Sequence, residues 1–234
     1  MTKTFVFDLD GTLYDEKPAY PAALAAATEL ATELFGVSAE DFSAAVKRSM
    51  AWQFSGQVVL PSSHSRCIRF QRALEELGKP PSGGWALGRR YYDAFFATIA
   101  PRPGIDRLLQ DLRARGARIG LGTNMSGDMQ MAKVERLGLA RHFDFIVSSE
   151  EANAEKPAAA FFDLVAEKSR CERSEILFCG DNLECDARGA AKAGMRGVWL
   201  RTNPAQKAGD APDVESISSP DGLRKLVPEF FDQR

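Results

Sequence analysis

Histidine is almost missing from this sequence: His64 and His142 are the two in 234 residues. That leaves little material for a histidine-rich metal centre or a serine–histidine pair. Cysteine is sparse as well. Cys67, Cys171, Cys179 and Cys185 form no CxxC pair, which argues against a zinc site or a disulfide framework and fits reduced thiols in a cytoplasm. No apolar run reaches the length of a membrane span. The start, Met1-Thr2-Lys3-Thr4-Phe5, enters a strand pattern with no charged-then-apolar leader before it. Neither sign of charge dominates, since 30 basic against 32 acidic side chains give a formal net charge of -2. Such a balance offers no electrostatic footprint for nucleic acid or an anionic membrane. Repeats and low-complexity tracts are lacking too. The expected partner is therefore a small molecule, met by a cytoplasmic monomer or homodimer.

What is present is organised around one stretch, Phe5-Val6-Phe7-Asp8-Leu9-Asp10-Gly11-Thr12-Leu13. Thr4 to Phe7 is a short apolar and β-branched run and reads as a buried strand. It delivers Asp8 and Asp10 two residues apart, so a strand continuing here would point both to one face. Two acids placed together repel unless a cation lies between them or one holds a proton. Gly11 lets the backbone approach an anion closely, and Thr12 adds a hydroxyl.

Ligands of open α/β sheets bind beyond the carboxyl ends of the strands, and three later stretches offer polar groups of a matching kind. Thr123-Asn124 closes the run that begins at Arg118. Lys156-Pro157 stands before a helical pattern, where the proline would aim the lysine back toward the sheet. Ile176 to Cys179 runs into Gly180-Asp181-Asn182, with Asp186 shortly after. Asp186 could equally satisfy a helix N-terminus.

Around these stretches the chain changes character once. Helical spacing runs over Ala19 to Phe35, Ser38 to about Met50, Arg66 to Leu77 and Trp85 to Ile99, without a convincing strand. From Pro103 onward, helices alternate with strands at Arg118 to Thr123, Phe143 to Val147, Ile176 to Cys179 and Val198 to Leu200. Helices are expected over Gly127 to Leu137, Ala158 to Lys168 and Glu184 to Ala193. Such alternation means βαβ units and a parallel sheet. The simplest architecture is an α/β core, residues 1–14 and 99–234, with an all-helical domain, residues 15–98, inserted after the first strand.

Asp8-x-Asp10-Gly11-Thr12, followed in order by Thr123, Lys156 and Gly180-Asp181 with Asp186, resembles the four motifs of the haloacid dehalogenase-like hydrolases. The likeness covers essentially the whole chain. It implies a Rossmann-like doubly wound parallel sheet with a helical cap, and Mg²⁺-dependent phosphatase activity. Asp8 would be the nucleophile that becomes aspartyl-phosphate, and Asp10 the general acid/base. Thr123 would bond the phosphoryl group and Lys156 would neutralise its oxygens. Asp181 would bind Mg²⁺, and Asp186 would hold a metal-bound water or Lys156. Charge supports the metal: gathered carboxylates repel a phosphate dianion, and hard oxygen ligands suit Mg²⁺. The proposed ligands are Asp8, the carbonyl of Asp10, and Asp181. Gly11, Thr12, Thr123, Asn124 and Lys156 would surround the phosphate.

The expected substrate is a small phosphorylated metabolite, a nucleotide or a sugar phosphate. Dehalogenases of the family lack the second aspartate, because a halide needs no proton, and Asp10 is present. Phosphomutases share every core residue named, and a non-catalytic binding protein on this fold would be expected to lose Asp8 or Asp181. Substrate choice is expected in the cap, closing over the core. Tyr14, Trp52, Phe54, His64, Arg66, Arg69, Trp85 and Arg90 are the candidate contacts. For most of them a helix core or a solvated face is the commoner role.

Overall fold

In the computed structural model, which describes residues 3–56, 60–203 and 205–232, Thr4–Phe7 forms strand β1, buried at every position. Strands β2 (Arg118–Thr123), β3 (Phe145–Ser148), β4 (Ile176–Gly180), β5 (Arg196–Leu200) and β6 (Glu215–Ile217) complete one sheet in the order β3-β2-β1-β4-β5-β6. All its pairings are parallel. The order reverses at β1, the arrangement that opens a crevice beyond the strand ends. Phe7 stands level with Leu121 of β2 and Cys179 of β4. The Asp8 amide extends the ladder by donating to the Cys179 carbonyl at 3.0 Å. The three strand ends that carry polar motifs are therefore adjacent.

Contacts divide the chain into two units, Met1–Asp15 with Ala100–Arg234, and Glu16–Ile99. The second unit holds α1 (Ala19–Phe35), α2 (Ala39–Gln53), α3 (Arg66–Glu76) and α4 (Gly83–Thr98). On α1, Ala19, Ala23, Ala27 and Ala31 form a buried stripe of small residues against α4. Aromatic rings fill the interior, with Phe70 within 5.8 Å of both Phe42 and Tyr91. Ser38 caps α2 by accepting the Asp41 amide at 3.0 Å.

The sheet unit adds α5 (Ile105–Ala114), α6 (Gly127–Arg136), α7 (Ser149–Ala152), α8 (Ala159–Ser169), α9 (Gly189–Lys192) and α10 (Pro220–Asp232). Successive side chains of β1 face opposite ways, and helices cover both faces. Phe5 meets Phe230 of α10 edge-on at 5.3 Å, while Val6 joins Phe161 and Phe162 of α8 in a fully buried cluster.

Some elements differ from expectation. Where one helix is expected over Glu184 to Ala193, a wider π turn spans Leu183–Arg188 and α9 follows. Asn182 explains the start of that turn: its side-chain oxygen accepts the amides of Glu184 and Cys185 at 3.1 and 3.0 Å. The widened turn brings Asp186 inward, where its carboxylate accepts the Asn182 amide at 3.0 Å. Three elements lie beyond the expected ones: the short α7, and then β6 and α10. The last buries Leu223, Val227 and Phe230 at helical spacing despite Pro228.

Candidate functional site

Beyond β1 the chain turns sharply, with the amides of Thr12 and Leu13 donating to the Leu9 carbonyl at 3.2 and 3.0 Å. Asp8 is buried. Thr12 donates to Asp8 Oδ2 at 3.0 Å and accepts the Asp181 amide at 3.0 Å, tying the ends of β1 and β4 together. Gly11 sits at φ +79°, and a Cβ there would stand 2.3 Å from Asp181 Oδ2, so only glycine fits. Gly180 has a similar reason, since its Cβ would lie 2.2 Å from Asp186 Oδ2. The Trp199 indole donates to the Asp181 carbonyl at 3.0 Å and holds that loop from β5.

Lys156 is the hub of this end of the sheet. Its ammonium donates to Asp8 Oδ1 and Asp186 Oδ1, each at 2.7 Å, and to the Gly122 carbonyl at 3.0 Å. Asn124 fixes the loop below it by accepting the Lys156 amide at 2.9 Å. Asp8, Asp181 and Asp186 place one oxygen each within 4.8 Å of one another. Three buried or half-buried carboxylates face one ammonium, an excess of negative charge. Burial, joined by the charges of Asp186 and Asp181, pushes the Asp8 carboxyl up to about 8 against the pull of Lys156. Burial alone would lower the Lys156 ammonium, yet Asp186 and Asp8 outweigh it and hold it above its ordinary value. A hard divalent cation is the natural complement of that oxygen set.

Asp10 points elsewhere. Its Oδ1 accepts from Tyr14 and from Lys133 at 2.7 Å, and its Oδ2 from Lys133 at 2.8 Å and Gln130 at 2.9 Å. Desolvation would raise this carboxyl, but Lys133, Tyr14 and Gln130 outweigh it and hold it below the usual carboxylate range. Gln130 and Lys133 are absent from the residues expected at the site. One signal was available, because they lie three apart on the first helix after Thr123-Asn124 and so share a face. Tyr14, expected among substrate contacts, is instead fully buried in the sheet unit. Thr123 is buried, and its hydroxyl accepts from Gln130.

The helical unit has a cavity of its own, about 460 Å³, whose lining includes Tyr20, Phe54, His64, Arg66, Arg69 and Tyr91. Arg69 is buried, and its Nε donates to Gln53 Oε1 at 2.8 Å. Arg66 lies over the Tyr91 ring at 5.3 Å. Burial and the neighbouring Arg66 pull Arg69 down to about 10. Of the other expected contacts, Trp52 and Trp85 are 52% and 65% exposed, and Arg90 is also exposed. None of these three lines the cavity.

Comparison with known proteins gives the family. The family profile described as haloacid dehalogenase-like hydrolase matches residues 2–194. The chain belongs to that family. A relative, the ribulose-1,5-bisphosphate 5-phosphatase of Halopiger xanaduensis, is 35% identical over 219 residues, 91% of this chain and 90% of the relative. A haloacid dehalogenase-like phosphatase from Thermococcus onnurineus shares the fold, with a TM-score of 0.76 at 23% identity over 97% of this chain and 98% of that one. The 2-haloacid dehalogenase of Pseudomonas syringae superposes with a TM-score of 0.74 at 27% identity, over 98% and 100% of the two chains. This haloacid dehalogenase-like hydrolase is a phosphatase.

Proposed function

We propose that this haloacid dehalogenase-like phosphatase hydrolyses a small phosphorylated metabolite, with Asp8 as nucleophile, Asp10 as general acid/base and Mg²⁺ as cofactor. The observation that carries the reading is the buried constellation at the ends of β1 and β4. There Lys156 lies 2.7 Å from both Asp8 and Asp186, and three carboxylates face one another. Asp8, the main-chain carbonyl of Asp10, and Asp181 would hold Mg²⁺, which supplies positive charge to offset the repulsion between carboxylates and phosphate.

An oxygen of Asp8 attacks phosphorus, and the bond from phosphorus to the substrate's ester oxygen breaks. Asp10, ionised while Lys133 holds it, takes up a proton as substrate binds and gives it to that leaving oxygen. Water then attacks the aspartyl-phosphate and passes a proton to Asp10, which frees phosphate and restores the Asp8 carboxylate. Lys156 keeps Asp8 oriented and offsets charge on the phosphoryl oxygens. Thr12, Thr123, Asn124 and the main chain at Gly11 contribute hydrogen-bonding groups around the phosphate. Phosphate-ester hydrolysis can need an acceleration near about 10²¹-fold. A general acid supplies about 10²–10⁴ of it, so most comes from positioning, electrostatics and the covalent route.

Asp10 separates this reading from dehalogenation, because a departing halide requires no proton. A sugar phosphate is the favoured substrate, since the relative from Halopiger xanaduensis is named for one. Substrate choice is assigned to the helical unit, whose cavity offers Arg66 and Arg69 beside aromatic rings. The four free cysteines fit a cytoplasmic setting. Phosphate release from a panel of sugar phosphates and nucleotides, with Mg²⁺ or with chelator, tests the reading. Asp10→Asn should lower release from an alkyl phosphate by about 10²–10⁴-fold. Full activity in that variant would rule out the acid role.

A further inference from the structure

We propose that Lys133 and Gln130 are positioning residues for Asp10, a clamp on α6 that fixes the carboxylate and couples it to the strand end at Thr123. The inference rests on the reading of Asp10 as general acid/base. Both residues are buried, Gln130 completely. Lys133 spans the two oxygens of Asp10 at 2.7 and 2.8 Å. The Gln130 amide nitrogen faces Asp10 Oδ2 at 2.9 Å, the Thr123 hydroxyl, and the Asn124 carbonyl at 3.1 Å. Its two protons serve two of these acceptors at a time. One side chain thereby links the acid/base with the strand end proposed to bind phosphate.

Asp10 needs such restraint. It stands in a turn beyond its strand, not on the rigid ladder, and a short carboxylate there has several rotamers. An acid must lie within hydrogen-bond reach of the leaving oxygen, and a misplacement of about 1 Å can cost about 10²-fold. Lys133 and Gln130 approach from a helix whose start is set by the preceding strand, so they transmit the sheet's rigidity to Asp10.

The test compares kcat/KM on glycerol phosphate, a poor leaving group, with p-nitrophenyl phosphate, a good one. The variants are Lys133→Met, Lys133→Arg, Gln130→Leu, Asp10→Asn and the Lys133→Met/Asp10→Asn double. Lys133→Met should lose about 10- to 100-fold on glycerol phosphate and no more than about threefold on the nitrophenyl ester, a share of what the acid itself supplies. Lys133→Arg, whose fork can face both carboxylate oxygens, should keep most of the activity. Gln130→Leu should show the same pattern with smaller amplitude, and it carries the test if Lys133→Met does not fold. On the Asp10→Asn background, Lys133→Met should add nothing further. Equal losses on both esters, or additive losses in the double variant, would overturn the clamp. Full activity of Asp10→Asn on glycerol phosphate would instead overturn the acid/base reading on which the clamp depends.

Discussion

Asp8→Asn is expected to abolish turnover while leaving the protein folded. The amide keeps the shape of the carboxylate but cannot form the phosphoryl ester, and losing a nucleophile costs on the order of 10⁴-fold or more. Folding should survive because the amide is neutral in an overly acidic cluster, as the protonated carboxyl is, and leaves Lys156 paired with Asp186 at 2.7 Å. A pH experiment separates chemistry from stability. Asp8 is held at about 8 in the folded protein against an ordinary 3.8, so the native state binds the proton more tightly than the unfolded chain. Metal-free protein should therefore be most stable below pH 3.8 as far as this group is concerned, losing that contribution as pH rises through about 8. Chemical unfolding across that window should show the decline in the wild type and a flatter profile in Asp8→Asn. Residual turnover near the wild-type rate would deny Asp8 the nucleophilic role.

Lys156→Met should have the largest effect on stability. The ammonium is buried between Asp8, Asp186 and the Gly122 carbonyl, and its removal leaves adjacent carboxylates with no cation in the gap. Breaking a buried ion pair from one side costs about 3–5 kcal/mol, readable from urea unfolding at pH 8 in chelator. Lowering the pH should recover much of that loss, because protonated carboxyls no longer repel. Lys156→Arg should rescue poorly, since a planar fork cannot place one point charge among three acceptors arranged around a single nitrogen. A cost below about 1 kcal/mol, typical of exposed pairs, would mean that the carboxylates are stabilised in some other way.

How much of this was legible in the sequence depends on what each residue's position encodes. Buried strands such as Thr4–Phe7 and Arg118–Thr123 could be read from short apolar runs, because both faces of a parallel sheet exclude water. Asp8, Lys156 and Asp181 follow recognisable motifs at strand ends. Lys133 and Gln130 carry no motif. Their contact with Asp10 spans more than a hundred residues and exists only because β2 lies beside β1. Hydrophobic periodicity gives an ordinary helix over Glu184 to Ala193, because the capping by Asn182 that widens the turn at Leu183–Arg188 is a local side-chain choice that it does not register. In sequence Arg69 reads as a candidate contact for which a solvated face is the commoner role, yet it is buried. Its burial follows from neighbouring aromatic rings on separate helices, not from its own surroundings in sequence.

The covalent route through Asp8 is the central claim, and rapid acid quench followed by mass spectrometry tests it most directly. Protein would be mixed with a phosphomonoester and Mg²⁺, quenched during turnover and digested, and the peptide carrying Asp8 examined for a phosphoryl adduct. A single adduct on Asp8, missing from Asp8→Asn and accumulating in Asp10→Asn with the nitrophenyl ester, is the predicted result. Continued phosphate release with no adduct on that peptide, or with the phosphoryl group on another residue, would contradict it.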